Sequence, residues 1–597
     1  MAIPSPITEA TDLVSFSILI NGKQIDESYQ VVSIGIENSV NRIPYASIRI
    51  LDGSASAEDF SISDSDDFIP GNAVTISAGY HGQNTTVFTG IIIKHGIKIK
   101  RNGSSLLVIE CRDKALKMTI GRKNAAYQNK ADSDVISDII ASYGLDKSIE
   151  ATTPVLPEIV QYYASDWDFM LSRADANGQI VMVDQGKITL KKPDTSSQPV
   201  VVVRYGESML DMDAVIDARN QLSAVKSISW DMKTQALLEA DGVDPALSLA
   251  GNLSSKTLAA IVAPASFQLQ STVPLTKDDL QNWANASFMR SQLSKITGTI
   301  SFQGSALVVP GVMLQLDGLG NRFAGNAFVS SVTHSIEAGD WLTEAKLGLS
   351  PDWFAETQLN VMAAPASALL PGVQGIQIGT VVQIHDDPGS EFRALIKVPL
   401  ISSDSVGIWA RMAHPYASSK AGIFFYPEVG DEVVLGFLND DPRYPVILGS
   451  LFSSAKEPPF VPDEKNTNKA IVTNSQLKIT FDDVNLVTSI TTPKNNSIVL
   501  SEKDEKLTIT DQNKNTITMS ADGIVIKSCK DVKITAPGDI TLQADGNINA
   551  KATANVSISG MEVSAKASTQ ATVHGDGMAE LSASGNVTVK GAMVMIN

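Results

Sequence analysis

From Ile524 to the last residue, paired apolar residues recur every eight positions: Ile524/Ile526, Val532/Ile534, Ile540/Leu542, Ile548/Ala550 and Val556/Ile558. After one seven-residue step near Gly560-Met561 the pattern resumes as Val563/Ala565, Ala571/Val573, Ala579/Leu581 and Val587/Val589, ending on Met595/Asn597. Turn formers fill the intervals, among them Pro537-Gly538-Asp539, Asp545-Gly546-Asn547 and Gly585-Asn586. A fixed period of this kind marks a repeat architecture. Side chains alternate along a strand, so apolar residues two apart share a face, and Gly, Asn and Asp supply the positive φ of a corner.

Eight residues at about 3.3 Å each reach about 26 Å, enough for one strand and one corner. That is too short for a full turn of a single-chain β-helix, whose repeats take roughly 20 residues or more. The inward face would stay exposed in a monomer. Three chains, each supplying one side of a triangular prism, would bury it and leave no open sheet edge. A polar tail would not hold Ile, Val and Leu in step over so many units. The expected trimer core is Ile524, Ile526, Val532, Ile534, Ile540, Leu542, Ile548, Val556, Ile558, Val573, Leu581, Val587 and Val589. The seven-residue step reads as a bulge, a strand realignment or a harmless deletion.

The chain has 597 residues, a length that implies several domains. Its net charge is −18, and residues 466–597 hold 12 Lys/Arg against 13 Asp/Glu, so the acidity belongs to the first 465 residues. An acidic body argues against nucleic-acid or anionic-membrane binding, which needs Lys/Arg clusters. The short basic stretch Lys98-Ile99-Lys100-Arg101 reads as a solvated hairpin end. The two cysteines, Cys111 and Cys529, fall in different domains, which leaves neither a disulfide framework nor a cysteine-based zinc site. The start, Met1-Ala2-Ile3-Pro4-Ser5-Pro6, lacks the basic and apolar regions of a secretory signal, and no apolar run reaches the roughly 20 residues of a membrane span. The expected place of folding is the cytoplasm, with any exit depending on dedicated machinery.

The first third reads as β-hairpins over residues 16–20, 31–36, 46–50, 74–78, 87–93 and 106–110, with Asn21-Gly22, Asp52-Gly53 and Asn102-Gly103 as turns. A helix follows with Asp132 or Ser133 as N-cap and Val135, Ile136, Ile139 and Ile140 on one face. A second helical stretch runs from Asp166 to Asn177, residues 236–263 read as a long loop with helical turns, and Thr276 with Asp279 opens a third helix. Ile69-Pro70-Gly71 with Val74, then Phe88-Thr89-Gly90-Ile91, is echoed by Val309-Pro310-Gly311 with Met313, then Phe323-Ala324-Gly325 and Phe328-Val329, which suggests two related small β-barrels with helices inserted between them. A linker around Pro365 and Pro371-Gly372 precedes five short strands in about 80 residues, the content of an OB-type barrel. The expected domains are 1–364, a hub of two barrels; 365–460, an OB fold; and 461–597, the octad-bearing spike.

Trp409-Ala410-Arg411, the run Tyr426-Pro427-Glu428-Val429-Gly430-Asp431-Glu432-Val433, and Asn439-Asp440-Asp441-Pro442-Arg443-Tyr444-Pro445 with Gly449-Ser450-Leu451 resemble the OB-domain signature of VgrG and phage baseplate spike proteins. Asp166-Trp167-Asp168-Phe169 with Arg173 and Asn177-Gly178 looks like that family's hub motif. The resemblance covers the whole chain in one domain order. It implies a mainly β fold: a hub of related β-barrels, an OB barrel and an intertwined triple-stranded β-helix. It also implies a homotrimeric hub and spike of a type VI secretion system, an extracellular injection particle or a contractile phage tail. Such a spike adapts a six-fold inner tube, meets baseplate proteins at the hub and pierces a target membrane in passing. About 15 residues separate Ser454 from Ala470, which leaves no room for the lysozyme domain some phage spikes carry, and the chain stops at Asn597. A spike without its own effector is the expectation, with Met593, Val594, Met595 and Ile596 covered by a PAAR-type tip protein.

The six histidines at 81, 95, 334, 385, 414 and 574 show no metal-ligand spacing. His574 follows an inward valine and is expected to face out, while His385-Asp386-Asp387 reads as a turn before Pro388-Gly389. The pairs Asp482-Asp483 and Asp440-Asp441 read as solvated turn residues, because acid–base work needs desolvated, convergent groups. The Gly-rich stretches match neither nucleotide-binding pattern. Trp409, Phe424 and Phe425 read as barrel core. No catalytic residue, cofactor, metal ligand or nucleic-acid site is expected. A β-helical adhesin or tail fibre, or a glycan hydrolase on a β-helix, are the alternatives; convergent carboxylates in a cleft would favour the last.

Overall fold

Alternating apolar residues become strands where the pattern places them: Val14–Ile20, Val31–Ser39, Tyr45–Leu51, Ala73–Tyr80, Gln83–Ile99 and Ser105–Arg112. The computed structural model of the chain describes residues 3–7, 14–101, 104–358, 360–400 and 407–596. Ile18, Ile34, Ile36, Ile48, Ile50, Ile76 and Ile109 from these strands share one fully buried cluster. At Asn21-Gly22 the φ values of 51° and 80° close the expected tight hairpin, in which Ile20 pairs with Lys23. Asp52-Gly53 does not turn a hairpin. Tyr45–Leu51 pairs instead with Val31–Ser39 and Ser105–Arg112. The Asp52 carboxylate closes a long loop by accepting the N–H groups of Gly53, Ile62 and Ser63 at 2.9, 3.2 and 2.7 Å. The third turn expected, Asn102-Gly103, lies outside the described residues.

The echo between the two Pro-Gly segments is a repeated structure. Gly71 N–H reaches Ile92 O at 2.8 Å and Ile92 N–H reaches Asn72 O at 2.9 Å; Gly311 N–H reaches Val329 O at 2.8 Å and Val329 N–H reaches Val312 O at 3.0 Å. Both glycines have positive φ, 105° and 89°. Ile92 therefore corresponds to Val329 and Ile91 to Phe328, which places Phe88 with Gly325 rather than with the Phe323 suggested by sequence. The pairing order in the first half is Val14–Ile20, Ala73–Tyr80, Gln83–Ile99, Ser105–Arg112, Tyr45–Leu51, Val31–Ser39. The second half repeats it with Val201–Arg204, Met313–Asp317, Gly325–Glu337, Asp340–Leu347, Ile296–Gln303 and Met209–Ile216. Register shifts recur at matching places, past Ile92 and Val329 and past Val31 and Met209. The halves wrap separate apolar clusters but join one 13-stranded sheet, because Gly325–Glu337 also pairs with Val31–Ser39, Ser331 opposite Ser39 through Glu337 opposite Ser33.

His334 lies at that join, fully buried, with Nδ1 accepting from Trp341 Nε1 at 3.3 Å and 3.0 Å from Thr343 Oγ1. Burial pulls its pKa from 6.5 down to about 4. Above pH 6.5 neither folded nor unfolded chain protonates it, and the stability is complete. As pH falls from 6.5 toward 4 the unfolded chain takes up the proton first, and up to about 3 kcal/mol is lost. Urea midpoints for the first unit should drop between pH 7 and 4.5, and a His334→Gln chain should show a shallower drop.

Insertions sit between the halves and, beyond the sequence expectation, within the second half between Met209–Ile216 and Ile296–Gln303. Helix Asp132–Ser142 begins one residue earlier than expected: Ala131 holds the N-cap position without a side-chain bond, and Asp132 instead receives Arg173 Nε at 2.6 Å and Asn177 Nδ2 at 2.8 Å. Helix Asp166–Ala176 is capped by Ser165, whose Oγ accepts Asp168 N–H at 3.1 Å. The segment 236–263 is more regular than a loop, with strand Ala236–Asp241 and helix Ser255–Val262. Helix Lys277–Leu293 carries the expected capping box, Thr276 Oγ1 accepting Asp279 N–H at 3.1 Å and Asp279 accepting Thr276 N–H at 3.2 Å. Beyond the linker, Gln377–Gln383, Ala394–Lys397, Ile408–Met412, Glu432–Phe437 and Pro445–Ser450 form a closed five-stranded barrel around Val381, Ile396, Ala410, Val433, Leu435 and Ile447. Phe424 is 77% exposed, and with Phe425 and the half-buried Trp409 it lies outside that core, contrary to the sequence expectation.

The chain divides into two compact units, Met1–Leu451 and Phe452–Asn597. The second opens with seven five-residue strands in an antiparallel meander, Asn468–Val472, Lys478–Asp482, Val487–Thr491, Ser497–Ser501, Lys506–Thr510, Thr516–Ser520 and Gly523–Lys527. Among the described residues no helix is long and apolar enough to cross a membrane.

Candidate functional site

The meander places one isoleucine of each strand in a single row. Ile471 stands opposite Ile479, then Ile490, Ile498, Ile509, Ile517 and Ile526 in unbroken succession. Directly opposed residues share a face, and two positions along each strand a second row adds Phe481, Leu500, Leu507, Met519 and Ile524 to it. The other face is mostly hydroxylated, with Thr480, Ser489, Thr508 and Thr518 in line and Thr480 and Ser489 bonded at 2.6 Å. Six steps of about 4.8 Å make the apolar face about 29 Å tall. It is not covered within the unit: Ile490, Leu500 and Ile526 are 45%, 49% and 64% exposed.

A 19-residue period builds this sheet. Long loops close where Thr473, Thr492 and Asp511 accept the N–H of Leu477, Asn496 and Asn515 at 3.1, 3.2 and 2.8 Å, and Gln476, Asn495 and Lys514 take positive φ. Short loops on the other side close on Asp482 and Ser501, with positive φ at Leu486 and Glu505. Alternating loops of five and four residues return an isoleucine to the same row after 8 and then 11 residues.

Past Lys527 the octads begin. The chain bends at 529–530, 537–538, 545–546, 553–554, 561, 568–569, 576–577, 584–585 and 592–593, eight residues apart except for one seven-residue step after Met561. Corners and step fall where the sequence put them. Among the described residues beyond Lys527 no strand is paired. Of the expected core, the chain itself brings only Ile524 and Ile526 into a shared face, that of the isoleucine row. Val532, Ile534, Ile540, Leu542, Ile548, Val556, Ile558, Val573, Leu581, Val587 and Val589 are all exposed, as are Met593, Val594, Met595 and Ile596. His574 is exposed and meets Asp576 at 3.1 Å.

In the first unit the Asp166 motif is a buried polar framework. The Asp166 carboxylate accepts Lys123 Nζ and Tyr143 Oη at 2.6 Å each and Gln161 Nε2 at 2.9 Å. Burial pushes its pKa up, but these donors outweigh it and hold the carboxyl below its ordinary value. Trp167 and Phe169 enter the adjacent core. His385, Asp386 and Asp387 form the expected turn: Asp387 accepts Arg393 Nη2 at 2.6 Å and the N–H groups of Gly389 and Glu391, bonds that hold its carboxyl far below the usual range. Asp441 is tied to Arg443 at 2.7 Å in the same manner. These carboxylates close loops rather than converge on a cleft.

Comparison with known proteins agrees with this architecture. Residues 10–338, more than half of the chain, match the family described as Alg8 N-terminal domain. Residues 377–452 match the type VI secretion system/phage-baseplate injector OB domain. The spike protein VgrG3 of Vibrio cholerae is 33% identical over 103 residues, covering 16% of this chain and 10% of that protein. VgrG2a of Pseudomonas aeruginosa is 31% identical over 136 residues, covering 20% and 16%. The matched stretches thus span only a small part of these relatives' length. Among solved structures, the E. coli c3393 protein, described as a component of the type VI secretion system, aligns with a TM-score of 0.38 and 12% identity over 73% of this chain and 99% of its own. The chain belongs to the Alg8 N-terminal domain family and, with its injector OB domain, to the VgrG and phage-baseplate hub–spike proteins of contractile injection systems.

Proposed function

We propose that three copies of this chain form the central hub and spike of a contractile injection particle. The observation that carries this reading is the uncovered isoleucine row, continued by octads that among the described residues have no strand partner of their own. Backbone polar groups and apolar side chains left open along that length need a partner, and two further copies of the same face supply one with closed symmetry. The six duplicated halves of such a trimer suit a six-fold inner tube and surrounding baseplate proteins, and its three octad segments suit a three-fold shaft. The shaft punctures the target membrane when the sheath contracts, a mechanical role that uses no catalytic step, metal or cofactor. The apolar Met593, Val594, Met595 and Ile596 form the seat of a PAAR-type tip protein. No enzyme domain is inserted between the barrel and the meander, where only residues 451–467 intervene. The protein is assembled in the cytoplasm and leaves it only on firing. In sedimentation at micromolar concentration the full chain should run as one species of three times the chain mass. A stable monomer would sink this reading.

A further inference from the structure

The duplicated halves meet within the chain through one strand pair, residues 331–337 against 33–39, and each partner has a counterpart that is left open. Ile92 and Val329 hold the same turn and are each followed by a register shift, so residues 94–100 correspond to 331–337. Val31 and Met209 are likewise each followed by a shift, so residues 211–217 correspond to 33–39. Past Ile91 the strand Gln83–Ile99 pairs only with Ser105–Arg112, and Met209–Ile216 pairs only with Ile296–Gln303, among the described residues.

We propose that residues 94–100 of one copy of this chain pair antiparallel with residues 211–217 of the next, with Lys94 opposite Asp217, Lys98 opposite Asp213 and Lys100 opposite Asp211. This deepens the trimer reading above and rests on it. The register is the one observed at the internal join, transposed: Ser331 opposite Ser39 becomes Lys94 opposite Asp217, and Ile336 opposite Ile34 becomes Ile99 opposite Met212. Duplication dictates the register but not the side chains. At the internal join the positions now held by Lys and Asp carry Ser331 and Ser39, Ser335 and Gly35, Glu337 and Ser33. In the transposed pair one face is a comb of three lysines against three aspartates. Opposite charges placed directly across a ladder favour that alignment over a slipped one.

The other face is apolar, with Ile97 and Ile99 meeting Ala214 and Met212. Ile97 and Ile99 are 49% and 72% exposed in the single chain, while Met209, Met212, Leu319 and Phe323 line an open cleft beside the receiving strand. At the internal join Ile336, the counterpart of Ile99, is buried in the first half's core. Lys94 already meets Glu110 at 2.9 Å and Asp217 meets Arg219 at 2.6 Å, so acid and base would alternate across the junction. Each copy carries one edge of each kind. A contact of that type closes into a ring, and in a trimer six halves would be joined alternately within and between chains. The basic stretch at Lys98-Ile99-Lys100 then belongs to an interface rather than to a solvated hairpin end.

Directly opposed strand residues bring their Cα atoms to about 4.5–5.5 Å, within disulfide range. The test uses the full chain carrying Cys529→Ser, with Lys98→Cys and Asp213→Cys together. On oxidation it should run as a covalent trimer on a non-reducing gel, at least ten-fold more abundant than from Lys98→Cys with Ala214→Cys, whose second thiol lies on the opposite face. A particle that sediments as a trimer but does not cross-link overturns the pairing and leaves the trimer standing; a monomer overturns both. In a second arm, Lys98→Asp with Lys100→Asp should speed amide exchange over residues 94–100 and 211–217 at least ten-fold. Adding Asp211→Lys and Asp213→Lys should restore protection, and failure of that rescue overturns the register.

Discussion

An Ile534→Asp chain is expected to sediment as a monomer where the unaltered chain sediments as a trimer. Ile534 is the second residue of an octad pair and is 70% exposed in the single chain, so the change costs an isolated chain almost nothing. In the assembled shaft the same residue from three chains would face one axis. Burying an ion costs several kcal/mol even after relaxation, and three like charges near one another add repulsion, for a total on the order of 10 kcal/mol. That is about seven decades in an association constant, more than a shaft of ordinary stability can absorb.

The meander allows a sharper version of the same experiment. Ile509 lies between Ile498 and Ile517 on the apolar face, while its neighbour Thr508 lies between Val499 and Thr518 on the other. Ile509→Asp should dissociate the trimer and Thr508→Asp should leave its mass unchanged. If both variants dissociated, the response would reflect damage to the sheet itself; if neither did, the isoleucine row would not be the shared face.

How much of this was legible in the sequence differs by segment, for physical reasons. The octads could be read because each strand and corner spends the same number of residues, and the bends fall every eight positions with the single short step after Met561. The isoleucine row could not be read with the same ruler. Its members recur after 8 and 11 residues by turns as far as Ile517, because five-residue and four-residue loops alternate, and after 9 at Ile526, where the loop has two residues, so a search for one spacing finds only irregularity at Leu507, Ile517 and Ile524. The signal was present as a 19-residue period in the loops, with Thr473, Thr492 and Asp511 closing one side. The duplication was half legible. Gly71 and Gly311 marked it because only their positive φ makes the turn, whereas the correspondence of Ile92 with Val329 rests on hydrogen bonds that no composition records. The Asp52-Gly53 turn was misplaced because an aspartate that binds three N–H groups of a long loop looks, in sequence, like one that opens a short turn.

The second large effect expected is in the first unit, where Arg290 and Asp175 are 4% and 3% exposed and ion-paired. Asp175 also accepts Phe354 N–H at 2.8 Å, Arg290 Nη1 donates to Asp352 O at 2.7 Å, and the guanidinium lies 5.4 Å from the centre of the Trp353 ring. Burial draws the Arg290 pKa down to about 10, so the group remains charged at neutral pH. One pair thereby fastens helix Lys277–Leu293, inserted within the second half, to helix Asp166–Ala176, inserted between the halves, and to the segment around Phe354, which follows both. Replacing Arg290 by Met leaves a buried carboxylate without its partner, for which a loss of about 3–5 kcal/mol is expected. Arg290→Met combined with Asp175→Leu removes both charges and should recover most of that loss, since an apolar pair of similar volume is often as stable as a buried ion pair. Urea unfolding followed by Trp fluorescence should report both, with sedimentation still trimeric because the isoleucine face is untouched. Equal losses in the single and double variants would show that the two side chains stabilise the unit by packing volume, and that the charge pair holds nothing together.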